Sequence, residues 1–264
     1  MACDPEVIAR QINTRGFSMV ADYIAPDNLA RTQAAINAIL KQNAGTSIIL
    51  RGPCALAGTL MDELPRDPAF ARLCRHVYEA GTGNPAPDSA CYQVLRCLTG
   101  DACRSDAMLF HFDSYVLAAL VPIIMPTGGR RGDLLLAPNV RKVRKSYAVN
   151  LLDKAFLATR FQQRRLTRMY SCGDPRLVRV QLVPGNLYFF WGYMSAHTNE
   201  RCDADKVRST ALFHYVNPHA ASGLSHIIST NRLKDILHPR RLASRLLEPA
   251  GETPLQDPPP DARA

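Results

Sequence analysis

The residues best placed to do chemistry lie in FHFDSY, residues 110–115. His111 and Asp113 are separated by one residue. In an extended segment side chains alternate faces, so these two point the same way and Phe112 points away. An imidazole nitrogen and a carboxylate oxygen paired like this can take adjacent positions on one metal ion. Two histidines and one carboxylate on one side of an iron(II) ion leave its other positions open to oxygen and a second small molecule. The doublet needs a third ligand from elsewhere in the chain, and by itself it is a weak signal.

The second half of the chain supplies that ligand and more. PGNLYFFWGYMSAHTNE, residues 184–200, opens on a Pro-Gly-Asn turn, continues as an aromatic strand and reaches His197. Eleven residues later comes Arg208, in KVRSTALFHY, and Thr210 shares its parity. If His197 and Arg208 sit on adjacent strands, Arg208 lies deep in the fold. Its rigid fork suits a bidentate carboxylate, and a buried guanidinium needs an anionic partner.

This order, HxD, then a distant His, then Arg followed two positions on by Thr, resembles the 2-oxoglutarate-dependent oxygenase superfamily, and within it the phytanoyl-CoA-dioxygenase-like branch. The likeness covers residues 91–216, and the GFSMV strand with the helix after it is similar to the entry of such enzymes. It implies a double-stranded β-helix of jelly-roll, cupin-like type. It also implies iron(II), 2-oxoglutarate and O2, and the hydroxylation of an unactivated carbon. By the same resemblance His111, Asp113 and His197 hold the iron, and Arg208 takes the far carboxylate of 2-oxoglutarate with help from Thr210. Tyr115, on the inward parity of His111, is the candidate for one further polar contact, with Tyr92 and Gln93 behind it. Related halogenating enzymes carry a small residue where this chain has Asp113, so the expected outcome is hydroxylation.

Around these residues the chain has the texture of one domain, residues 1–245. The 264 residues are 47% apolar, enough for a sizeable core. From residue 91 to 216 short apolar and aromatic runs alternate with Gly, Pro and Asn, the pattern of a sandwich or barrel. Helical spacing appears at residues 22–42, where Pro26 suits a first turn, and again at 57–80, where Pro65 should break the helix in two. The expected class is therefore mainly β with flanking helices (α+β). Trp191 reads equally well as a pocket wall and as strand packing, and His214 as a core histidine. A helical insertion over residues 146–170 interrupts the strands. Over residues 229–247 the sequence predicts further helix, broken at Pro239, then a disordered tail over 246–264, rich in Pro and acid.

Charge and cysteines narrow the setting. The net charge is +9, and residues 130–179 hold thirteen Lys or Arg against three Asp, so the rest is near neutral. That stretch could steer an anionic partner. The eight cysteines show no CxxC pair and no zinc spacing, which fits reduced thiols. The longest apolar run, residues 115–125, is too short to span a membrane. The opening MACDPEVIARQ lacks the layout of a signal peptide, which predicts a cytoplasmic protein. The expected partner is a small-molecule substrate or an anionic one. An oxygenase or demethylase acting on nucleic acid would instead place the basic stretch on phosphates. A non-catalytic β-helix binding protein is disfavoured by the intact ligand set.

Overall fold

The computed structural model describes residues 3–43, 45–52 and 56–222. The expected helix and disordered tail beyond residue 222 lie outside them. The chain enters through a helix the sequence reading had not assigned, α1 (Pro5–Arg15). Its signals are all local. The Asp4 carboxylate accepts from the Glu6 and Val7 N–H groups, Pro5 fills the first turn, and Gly16 closes the end at φ 93°. Strand β1 (Phe17–Val20) and helix α2 (Pro26–Gln42) follow as expected, and strand β2 (Ile48–Arg51) comes next.

The next helical stretch is indeed two helices, α3 (Leu60–Arg66) and α4 (Pro68–Thr82), but Pro65 is not the breaker. It sits inside the last turn of α3. The break falls at Asp67, which lies before Pro68 and is pushed out of the helical region. Asp67 then caps α4 by accepting from the Ala69 N–H.

After α4 come β3 (Tyr92–Leu98), the short α5 (Ala102–Ser105), β4 (Leu117–Ile124) and β5 (Leu134–Ala137). The insertion forms α6 (Tyr147–Ala158) and α7 (Arg160–Ser171), divided at Thr159, whose side chain caps α7. The chain then runs through β6 (Val178–Val180), β7 (Leu187–Phe190), β8 (Ala196–Asn199) and β9 (Arg208–Tyr215). Six strands form a sheet in the order β1-β7-β4-β9-β3-β2, and three form a second in the order β6-β5-β8. Every paired neighbour is antiparallel. The result is the expected α+β jelly roll.

Both faces of the large sheet are covered. Ala118, Leu120, Tyr188 and Phe190 meet Leu134, Leu136 and Val180 of the small sheet. The alternate residues Leu117, Ala119, Val121, Phe189 and Phe213 pack on the helices, against Ile12, Ile36, Phe70 and Val77. This explains why β4 reads as an unbroken apolar run instead of an alternating one. Trp191 belongs to the helical side, not to a pocket. It is fully buried, and its Nε1–H donates to Asn13 Oδ1 at 2.7 Å. Its ring lies so close to Gly81 of α4 that a Cβ there would overlap it. A Gly-to-Ala change inside a helix normally stabilises by up to about 1 kcal/mol. Gly81→Ala should instead destabilise by about 1–3 kcal/mol through overpacking. Urea unfolding checks the sign, and a stabilised variant would refute this packing.

Folding also changes the meaning of the basic stretch. Arg130 pairs with Asp203, Arg131 and Arg179 with the buried Asp133, Arg179 also with Glu200, and Arg141 and Arg144 with Asp153. Two of these acids, Asp203 and Glu200, lie outside residues 130–179, so a count along the chain overstated the local field. Among the described residues no helix is long and apolar enough to cross a membrane.

Candidate metal centre

The HxD segment is not a strand. His111 makes an isolated bridge to His197 of β8, each backbone N–H donating to the other's carbonyl at 3.0 Å. Such a doubly bonded pair holds two residues directly opposite each other. Two residues on, the partner changes. Asp113 N–H donates to Gly192 O at 2.9 Å, in the turn that carries the chain from β7 to β8. The segment thus crosses from the small sheet toward the large one, and His111 and Asp113 converge because they are tied to neighbouring parts of one connection. Residue 110 is clamped as well. Gln163 of α7 accepts from Phe110 N–H at 2.9 Å and donates to Phe110 O at 2.9 Å. Sequence reasoning missed this role of the insertion, because nothing local links Gln163 to residue 110.

Donor atoms of His111, Asp113 and His197 lie within 4.8 Å of one another. His197 Nε2 is 3.4 Å from Asp113 Oδ2, and His111 Nε2 is 3.9 Å from Oδ1. The other nitrogen of each ring faces a backbone carbonyl: Nδ1 of His111 is 3.1 Å from Leu109 O, and Nδ1 of His197 is 2.9 Å from Ser195 O. A carbonyl only accepts, so each Nδ1 carries the proton and each Nε2 keeps its lone pair toward the centre. This is the usual way a protein presents an imidazole to a metal. Asp113 Oδ2 is buried and has no hydrogen-bond partner. Burial alone would raise the Asp113 carboxyl, but the imidazoles of His197, His214 and His111 around it outweigh that and hold the group well below the usual carboxylate range. An ionised, buried, unsatisfied carboxylate facing two lone pairs fits a divalent cation.

His214 of β9 is a neighbour that sequence reasoning had set aside as a core histidine. Its Nδ1 is buried without a hydrogen bond, 3.6 Å from Asp113 Oδ2. Burial pushes its pKa down, so it is neutral. Tyr115 stacks on His214 at 5.4 Å, and Tyr92 stacks on Tyr115 at 5.6 Å. Tyr115 therefore shares no strand with His111, as its assignment by parity had assumed, and it meets the centre through His214. Gln93 is paired in register with Phe213, whose side chain faces the helices, so it lies on the wrong face of β3 for this site.

Arg208 and Thr210 lie further along β9, on the same face as His214. The expectation that His197 and Arg208 occupy adjacent strands is corrected: β8 belongs to the small sheet and β9 to the large one. Arg208 is buried, its Nε–H donating to Gly132 O at 2.6 Å and its Nη1 lying 3.4 Å from Thr210 Oγ1. Gly132 has φ 76°, and a Cβ there would meet Arg208 Cδ at 2.7 Å. A second arginine, Arg96 of β3, is the register partner of Thr210 and donates to Asn199 Oδ1 at 2.8 Å. Asn199 is two residues past His197 on β8, roughly 7 Å along the strand. Sequence reasoning gave Arg96 no role; its register with Thr210 is what places it on the inner face of β3.

No family model matches the chain, and no curated protein sequence matches it. Solved structures do match. AviO1 from Streptomyces viridochromogenes Tue57 is 15% identical, with 83% of this chain and 97% of that one covered at a TM-score of 0.53. A prolyl 4-hydroxylase from Phytophthora capsici is 11% identical, with 92% of this chain and 75% of that one covered at a TM-score of 0.52. At such identities the likeness is one of fold, and the fold that this chain shares with both is the jelly roll described above.

Proposed function

We propose that this protein is an iron(II)- and 2-oxoglutarate-dependent oxygenase that hydroxylates an unactivated carbon of a small, anionic substrate. One observation supports it above the others: His111, Asp113 and His197 converge with both Nε2 lone pairs presented and Asp113 Oδ2 left without a partner. In this reading those three residues hold the iron, which when bound supplies the oxidation of a C–H bond with O2 and 2-oxoglutarate. Arg208, with Thr210 beside it, binds the far carboxylate of 2-oxoglutarate, and Arg96 lines the same end. Tyr115 acts through the His214 ring it covers. The buried apolar walls of the two sheets exclude water from the space between. Asp113 keeps the carboxylate that halogenating relatives lack, which favours hydroxylation. The order of the site residues along the chain supports a place in the phytanoyl-CoA-dioxygenase-like branch.

Anaerobic titration with iron(II) and then 2-oxoglutarate tests the reading. The parent protein should develop a visible metal-to-ligand charge-transfer band, and His111→Ala should not. A parent without the band, or a variant that keeps it, would overturn the assignment. Succinate release against a panel of anionic compounds then narrows the substrate.

A further inference from the structure

We infer that Lys154, with Ser114, is the recognition point for an anionic group of the substrate, a carboxylate or phosphate seated at the mouth of the metal centre. The inference rests on the proposed oxygenase reading and adds to it the place where the substrate's charge is held.

Lys154 projects from α6, and its Nζ donates to Ser114 Oγ at 2.9 Å. Ser114 follows the candidate ligand Asp113 directly. The ammonium is close enough to Asp113, His197 and His219 for its charge to act on all three. It therefore faces the metal side of α6, not solvent alone.

Its surroundings lack a matching anion. Asp153, the acid beside it on α6, is spent on Arg141 at 3.2 Å and Arg144 at 2.7 Å. Arg141 is closed off in turn. It donates to Tyr193 O at 2.7 Å and to Asn150 Oδ1 at 3.1 Å, and its guanidinium lies 3.9 Å from the centre of the Phe112 ring. Among the described residues Lys154 makes no ion pair. Burial pushes its ammonium down to about 8. Asp113 is the charge that offsets it now. Once Asp113 holds a dication, that compensation is gone, and a half-buried cation facing the metal side is left without a counter-charge.

The donors left over suit an oxyanion. An ammonium has three N–H groups, and one goes to Ser114. The Ser114 hydroxyl, having accepted that bond, still has its own proton to donate. Two N–H groups and one O–H are then left to bond an anion that enters beside Asp113. Charge-assisted bonds of this kind are the stronger class.

The full chain, loaded anaerobically with iron(II) and 2-oxoglutarate, decides the matter. The probes are inorganic phosphate, acetate and acetamide, the last a neutral match for acetate. All three are small enough to reach Lys154 whatever the shape of the substrate site. Phosphate or acetate should shift the charge-transfer band and acetamide should not. Lys154→Met should weaken that anion binding about ten-fold or more, and Lys154→Arg should retain most of it. The 2-oxoglutarate titration should be the same in Lys154→Met as in the parent. Equal responses to acetate and acetamide, no anion response in the parent, or undiminished anion binding by Lys154→Met would overturn the inference. So would a loss confined to 2-oxoglutarate, which would place Lys154 on the cosubstrate. A parent that forms no charge-transfer band fails earlier, at the oxygenase reading itself.

Discussion

Gly192→Ala is expected to disable the metal centre while leaving the protein folded. Gly192 lies in the turn between β7 and β8, and its carbonyl accepts the Asp113 N–H at 2.9 Å. A Cβ at residue 192 would overlap Asp113 Oδ2 and approach its Cγ at 3.0 Å and its Cβ at 3.1 Å. The backbone there is not in the left-handed region, so alanine is accepted conformationally and the whole effect is steric. Asp113 cannot retreat as a unit without losing its bond to Gly192, so the carboxylate must rotate away from the two Nε2 atoms. Displacing a ligand should cost at least the 10–100-fold in metal affinity that removing a ligand's supporting partner costs. The overpacking penalty on stability is about 1–3 kcal/mol, which a stable domain survives. An iron titration beside a thermal melt reads both. Gly128→Ala is the control, because nothing lies within 4 Å of a Cβ at that position. Iron binding by Gly192→Ala within a few-fold of the parent would show that Asp113 is not held as described.

His111 and Asp113 were legible as a pair, yet the geometry that joins them was not. Alternation along a strand predicted convergence. The chain achieves it with one bridge residue and a bond to a turn, because the segment passes from one sheet to the other. The strands themselves were readable, since burial on both faces writes a continuous apolar run such as β4 and turn residues punctuate the rest. Helix α1 had its signals in Asp4, Pro5 and Gly16, but its short amphipathic face was not picked out. The break between α3 and α4 went to the wrong proline because Pro65 can be held in a last turn, whereas Pro68 acts on the residue before it.

What stayed hidden depends on pairing between distant segments. Arg96 joins the site only through its register with Thr210. His214 becomes a neighbour of Asp113 only because β9 lies across from the crossing segment. Gln163 and Lys154 sit on an insertion whose basic composition pointed only to a diffuse field for an anionic partner. One of them clamps residue 110, and the other reaches Ser114. Trp191 could have faced either way, and it continues the alternation of Leu187 and Phe189 onto the helical side. Local pattern states which residues share a face of their own element; it does not state which face of another element they meet.

Arg208→Ala carries the second large effect, and it should separate the two ends of the site. Arg208 is buried on β9 with its stem against Gly132. Truncating one partner of a buried, hydrogen-bonded charge pair costs about 2–5 kcal/mol of binding. The concentration of 2-oxoglutarate needed for the charge-transfer band should therefore rise about 30-fold or more at 1.4 kcal/mol per decade, while iron binding stays within a few-fold of the parent. Part of any loss could come from folding, since Gly132 O would lose the 2.6 Å bond from Arg208 Nε. Arg208→Lys addresses that. It keeps the charge but not the planar fork, so its 2-oxoglutarate requirement should fall between those of the parent and the alanine variant. A melt that is unchanged while the requirement rises assigns the effect to binding. An unaltered 2-oxoglutarate requirement in Arg208→Ala would refute its role. Arg96→Gln would then locate the anchor: it lies across β9 from the same Thr210, and a rise confined to that variant would move the cosubstrate's far end from β9 to β3.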